Sequence, residues 1–370
     1  MTHAQDNGQP KVLMIGAGRD VKGGITTIVN SYFNAGLDKA VDLTYLATMH
    51  DGSKLRKLYI AAAAYIKFCL IVKRYDIIHI HMASDQSFTR KSLFVKRARK
   101  SGKKIIIHQH GGNFDDFFLH KSNERKQEKI KKVFSLADKV IVLSEEWRDF
   151  FGQYVCDESK IMLLHNGVVI PAYQKTDYSD HNILFLGRLT VDKGAFDLLR
   201  SIPSVLEQVP DAVFYFGANG DVNQCIKIAR ENGFEDHVRF LGWVRGEEKE
   251  KYLKKCSVFI LPSHYEAMPM SVLEAMSYGL ATISTNVGGI PQMIRQNADG
   301  IRVDAEDIPA IVEALIRLLT DEALKTKLGQ AGKRKVETTF DLSANINKLC
   351  TLYKDLASDC RPAPNHVCAE

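Results

Sequence analysis

Short apolar runs alternate with helical periodicity along this 370-residue chain, and the pattern stops once and then starts again. The first set of runs is KVLMIGAG (11–18), LTYLAT (43–48), YDIIHIHM (75–82), KKIIIHQHGG (103–112), KVIVLSEE (139–146) and KIMLLHNGV (160–168). Helical segments are expected between them at 25–35, 55–73, 90–101, 122–137 and 145–154. The second set is NILFLGRL (182–189), VFYFGANG (213–220), VRFLGWV (238–244), VFILPS (258–263), ATISTNVGG (281–289) and GIRVD (300–304), with helices at 307–319, 321–336 and 342–358. Buried strands that alternate with helices form parallel sheets covered on both faces. The polar segment 171–182, PAYQKTDYSDHN, reads as the linker between the sets. The expected fold class is therefore α/β, with two doubly wound Rossmann-like domains facing a central cleft. The first domain is expected over 1–176, completed by the amphipathic helix 342–358, and the second over 177–341, with 359–370 as a flexible tail. Ligands of such sheets bind at the carboxyl ends of the strands.

Bulk properties narrow the class. An apolar content of 45% and a charged content of 25% describe a globular protein. The opening MTHAQDNGQP lacks the layout of a secretory leader. The longest apolar stretch, 58–72, is interrupted by Lys67 and is shorter than the roughly 20 residues of a membrane span. Seven scattered cysteines without a C-x-x-C pair point to reduced thiols, so a cytoplasmic protein is expected. Charge is uneven: residues 1–175 carry 28 Lys and Arg against 17 Asp and Glu, and residues 176–370 carry 22 against 27. The basic excess concentrates at 90–104 and 121–132, where it either coats solvated helix faces or attracts phosphate-rich surfaces.

The most informative local segment is PSHYEAMPMSVLEAMSYGLATISTNVGGIP, 262–291. Helical periodicity over Met268–Tyr278 follows a buried strand, with Pro269 in the first turn, where no hydrogen bond need be donated. Glu266 and Glu274 then stand roughly 12 Å apart if the span is mostly helical, at about 1.5 Å per residue. That separation suits a ligand with hydroxyls at both ends and phosphates between, the phosphates facing the unpaired amides of the helix start. It exceeds the spacing of paired glycosidase carboxylates, roughly 5–10 Å.

Other candidates lie at further strand ends. Gly23 and Gly24, before a helix, allow backbone amides to approach a phosphate. Gly16, Gly18 and Gly23 do not match the dinucleotide fingerprint, and no acid ends the second strand, which argues against a nicotinamide enzyme. Arg188 and Lys193, in LGRLTVDKG, are placed to neutralise a departing diphosphate as a metal ion would. Gly288–Gly289 and HNGV (165–168) are glycine turns expected near a ligand. The pairs His79/His81 and His108/His110 could converge on zinc if their strands are neighbours, although core strands often bury hydrogen-bonded histidines. His110, before Gly111–Gly112, is expected to face the cleft.

As a set these residues resemble the retaining glycosyltransferases of family 4, which have the GT-B fold, and the resemblance runs from Gly23–Gly24 to the last helix. It implies that Glu274 binds the ribose hydroxyls of a nucleotide sugar and that Glu266 contacts the transferred sugar. It also implies that Arg188 and Lys193 hold the diphosphate and that His110 lies against the donor sugar. Ala267, Met268, Pro269, Met270 and Ser271 are implied as the backbone that contacts sugar and phosphate. Departures are mild: Ala267 replaces the usual glycine, and Gln292 stands where an acid is common.

The implied reaction is transfer of a hexose from a nucleoside-diphosphate donor, UDP-sugar or GDP-mannose among them, to a saccharide hydroxyl. The anomeric configuration is retained and no metal or other cofactor is needed. The first domain is the expected acceptor side. Its basic character, with the mixture of leucines, aromatics and cations at 54–74, suggests a polyprenyl-diphosphate-linked acceptor in capsule, O-antigen or exopolysaccharide synthesis. Peripheral binding to the anionic inner face of the cytoplasmic membrane is expected with it. A sugar-nucleotide epimerase of the same fold is the alternative. A phosphorylase lacks a recognisable pyridoxal lysine, and a nucleic-acid-binding protein lacks any reader motif, so no nucleic acid partner is expected.

Overall fold

A computed structural model describes residues 9–358, so the opening residues and the expected tail 359–370 lie outside the described part. The chain divides into two compact units. One contains the residues up to Leu143, then Arg148–Leu164, and the chain from Leu342 on; the other contains Ser144–Trp147 and His165–Asp341.

In the first unit the strands are β1 Lys11–Gly16, β2 Asp42–Ala47, β3 Ile77–Met82, β4 Lys104–Gln109, β5 Lys139–Val142 and β6 Ile161–Leu163. They form one sheet in the order β2-β1-β3-β4-β5-β6, parallel at every pairing. The second unit holds β7 Asn182–Leu189, β8 Val213–Gly220, β9 Val238–Phe240, β10 Val258–Leu261, β11 Ala281–Thr285 and β12 Ile301–Val303. Their order is β12-β11-β10-β7-β8-β9, again parallel. Each of the twelve apolar runs became a strand. Central strands such as β3, β10 and β11 are buried along their whole length, as sheets covered on both faces require. This is the doubly wound α/β class that the alternation predicts.

Some boundaries moved for identifiable reasons. The helix read as 90–101 starts at Asp85, because its first turn, DQSFT, carries little apolar periodicity. The polar segment 171–182 is strapped to the second unit. Tyr178 is buried with its hydroxyl donating to the Gly279 carbonyl at 2.8 Å, and the Lys333 ammonium donates to the Tyr173 carbonyl. The chain thus enters the second unit at His165, ahead of this segment. The last helix, Leu342–Ser358, belongs to the first unit, where Tyr353 is fully buried.

Candidate active site

The carboxyl edge of the second sheet is built by three loops stitched together through their backbones. After β7 the chain makes a short turn, Val191–Lys193, and leaves it through Gly194 at φ +64°. A side chain at Gly194 would collide with the Pro262 carbonyl. Beside it the His264 amide donates to the Asp192 carbonyl at 2.9 Å, and the His264 ring meets Asp197 at 2.6 Å. On the other side Gly288, at φ +52°, lies against the Glu266 carbonyl, and the Gly289 amide donates to the Ala267 carbonyl at 2.7 Å. Both positions leave no room for a Cβ, because their backbone packs against that of residues 266–267. Thr285 donates to the Ser263 carbonyl and Asn166 to the Met268 carbonyl, each at 2.7 Å. The stretch 263–268 is irregular backbone held from several sides.

That clamp fixes the charged groups. The Lys193 ammonium donates to one oxygen of Glu266, and the Ser263 hydroxyl donates to the same oxygen at 2.9 Å. Glu266 is only 8% exposed, so its carboxylate is oriented before any ligand arrives. The helix starts at Met270, with Pro269 at φ −70° and ψ 123° just before it. Pro269 therefore caps the helix and, lacking an N–H, donates nothing; the first-turn amides of Met270 and Ser271 have no carbonyl behind them. Because 266–269 is irregular, a separation computed from helical rise does not describe the two glutamates. Glu274 lies in the second turn, paired with Lys249 at 2.7 Å across from the helix Gly246–Lys255. Lys249 was not singled out by the sequence. Its helix, GEEKEKYLKK, is dense in cations, and only the fold shows which one turns inward. Arg188 is exposed near the end of β7 and forms no ion pair among the described residues.

In the first unit Gly23 and Gly24 start the helix Gly24–Asn34, with no atom within 4 Å of where either Cβ would stand. The four histidines form one stack, because β3 and β4 are neighbours with His81 opposite His108. The Tyr353 hydroxyl meets His79 Nδ1 at 2.6 Å, His79 Nε2 meets His108 Nδ1 at 3.3 Å, and His81 Nδ1 meets His110 Nε2 at 2.8 Å. Nitrogens of His79, His81 and His108 come within 4.8 Å of one another, close enough to raise the question of a metal. The ring planes, however, lie within 13–27° of parallel, with centroids 4.7–5.4 Å apart. His79 Nε2 and His108 Nδ1 face each other, and His79 Nδ1 takes the Tyr353 hydroxyl, so these nitrogens already have partners. The buried Lys91 ammonium, donating to the His81 carbonyl, adds a positive charge, and among the described residues no carboxylate joins the group. Burial holds His79 and His110 at about 3 and, with neighbouring rings adding to it, pushes His81 and His108 well below the ordinary histidine value; Lys91 adds to the effect at His81 and His110. The stack is a set of neutral, hydrogen-bonded imidazoles.

Two family descriptions match the chain: Glycosyltransferase Family 4 over residues 39–170 and Glycosyl transferases group 1 over residues 166–335. Together they span 39–335, well over half of the sequence. The chain is 26% identical over 308 residues, 77% of its length and 76% of the relative's, to an Escherichia coli UDP-Gal:alpha-D-GlcNAc-diphosphoundecaprenol alpha-1,3-galactosyltransferase. It is 25% identical to the amylovoran biosynthesis glycosyltransferase AmsK of Erwinia amylovora, over 76% of this chain and 70% of that one. In fold it is similar to a sucrose-phosphate synthase from Thermosynechococcus elongatus, with a TM-score of 0.77 at 19% identity, covering 95% of this chain and 100% of the other.

Proposed function

The chain belongs to glycosyltransferase family 4, and from that premise we propose that it transfers a hexose from a nucleoside diphosphate, with retention at the anomeric carbon, to a lipid-linked saccharide. The observation that carries this reading is the clamp at the carboxyl edge of the second sheet, where Lys193, Glu266 and the approach to the helix starting at Met270 are held by backbone packing and side-chain hydrogen bonds. An ammonium and free amides favour a diphosphate, and a desolvated carboxylate with one unfilled oxygen accepts hydrogen bonds from sugar hydroxyls.

In this reading Lys193 and Arg188 stabilise the diphosphate as it leaves, Glu266 holds the transferred sugar, and Glu274 takes the ribose hydroxyls. Backbone at Ala267, Met268, Met270 and Ser271 contacts sugar and phosphate. Glu266 shares its oxygen with an ammonium and a hydroxyl, which suits it to positioning and makes it a poor nucleophile. The leaving phosphate is left to take the acceptor proton, and catalysis is then mainly electrostatic and metal-independent. UDP is the preferred nucleotide and a polyprenyl diphosphate the preferred acceptor carrier, supported by the donor and acceptor for which the E. coli relative is named. An anionic membrane face is the proposed workplace. Transfer is tested by incubating the protein with UDP-hexoses and a short-chain lipid diphosphate saccharide and reading the new anomeric coupling by NMR. An axial-donor product with inverted configuration, or donor turnover without acceptor, as an epimerase gives, would end this reading.

A further inference from the structure

The helix Lys54–Ile71 is sparsely covered by the rest of the first unit. Of its 18 residues only Ala64 and Phe68 are buried, and Phe68 packs on Phe94 of the helix Asp85–Lys100 with ring centroids 5.0 Å apart. Residues 51–59 are exposed without exception, so the first turns stand off the body. The exposed side is not polar. Leu55, Leu58, Tyr59, Ile66 and Leu70 are between 63% and 81% exposed, and with Ala62 they recur every three or four residues along one face, away from the Ala64–Phe68 face. The helix thus has two apolar faces, one used by the fold and one left bare.

Charge identifies what the bare face fits. Residues 54–74 contain six cations, Lys54, Arg56, Lys57, Lys67, Lys73 and Arg74, all exposed, and no acid. A second copy of this chain would bring six cations against six. An anionic lipid surface offers an apolar layer for the leucines and phosphates for the cations together. No described helix is long and apolar enough to cross a membrane, so this one lies on the surface. By contrast, the basic run at 90–104 is partly consumed inside the unit: Lys91 is buried, and Arg99 binds the Leu136 carbonyl and Asp138.

We infer that the helix Lys54–Ile71 docks the protein on an anionic bilayer, its Leu55–Leu70 face inserted among the acyl chains and its cations at the headgroups. The helix leaves the carboxyl end of β2, and the sheet is parallel throughout. Its first turn therefore emerges on the same sheet edge as Gly23–Gly24, which follow β1, and His110, which follows β4. Docking would bring that edge to the lipid surface, where a membrane-borne diphosphate acceptor resides; this part rests on the acceptor reading above, whereas lipid binding itself does not.

Flotation of the full chain with vesicles, without substrates, tests it. The expected result is binding to vesicles of phosphatidylcholine and phosphatidylglycerol in equal parts, weak binding to phosphatidylcholine alone, and release by high salt. Leu55→Ser/Tyr59→Ser/Ile66→Ser/Leu70→Ser should lower partition at least about tenfold, and each of Lys54→Gln, Arg56→Gln and Lys57→Gln about fivefold. All of these sites are exposed, and unchanged circular dichroism with an unchanged UDP-induced thermal shift shows the fold is intact. Wild-type partition by the four-serine variant, or indifference to lipid charge, overturns the proposal. So does a concentration-dependent dimer that the serine variant dissolves while vesicles are ignored. Vesicle binding without any response to nucleotide sugars would instead sink the enzymatic reading and leave the docking helix standing.

Discussion

Mild acid should loosen the first unit before the second, because His79, His81 and His108 are fully buried and held neutral. Burial lowers their affinity for protons in the folded state, whereas in the unfolded chain each titrates near 6.5. Below that value the unfolded chain binds more protons, so stability falls as pH drops and is fully present above it. At about pH 5.5 each locked imidazole costs about 1.4 kcal/mol, and three cost about 4 kcal/mol, a large share of the roughly 5–15 kcal/mol that a domain has. Lys91, held at about 7, is only partly protonated in the fold at the top of the window, so it adds a smaller loss of the same sign there and almost none below about pH 6. The assay is amide hydrogen exchange of peptides covering β3 and β4, with β10 and β11 as internal reference, corrected for intrinsic exchange. Between about pH 7.5 and 5.5 the β3–β4 peptides should lose up to about a thousandfold in protection and the reference far less. Equal losses in both units, or unchanged β3–β4 protection, would refute the reasoning.

Further outcomes follow from the site. Lys193→Ala should lower kcat/KM about 10²–10³-fold in the transfer assay, since it removes an oxyanion partner, and should lower the melting temperature as well, since it leaves the buried Glu266 carboxylate without its ammonium. Gly288→Ala should lower the melting temperature and donor affinity together, because a side chain at φ +52° costs about 1–2 kcal/mol before the collision with the Glu266 carbonyl is counted. A double-mutant cycle of Lys249→Met with Glu274→Gln, read by urea denaturation, should return a coupling of about 1 kcal/mol for this partly buried pair.

The strands were legible because each is a compact apolar run bounded by turn residues, and buried parallel strands have no other way to be written. The acids at 266 and 274 were legible as a pair, but their surroundings were not. Gly288 and Gly289 announce a close approach without saying to what, and only the fold shows that the neighbour is the backbone of residues 266–267. Lys249 is hidden among equivalent cations, since a helix dense in lysine has no local signal for the one that meets a carboxylate. The histidine spacing put each pair on one face of a strand, as alternation requires. Which ring nitrogens meet depended on the tilt of the four rings, which spacing does not encode. The bare face of the helix Lys54–Ile71 was half visible: leucines and cations could be read from the letters, but a core helix has the same letters.

Calorimetric titration of UDP into the wild type and into Lys193→Ala measures most directly whether the clamped edge of the second sheet is a diphosphate site. The wild type should bind, and binding should weaken at least about tenfold when the ammonium is removed and the fold is kept. Equal affinity in both proteins, or no heat with UDP, GDP or any of their sugars, would contradict the account.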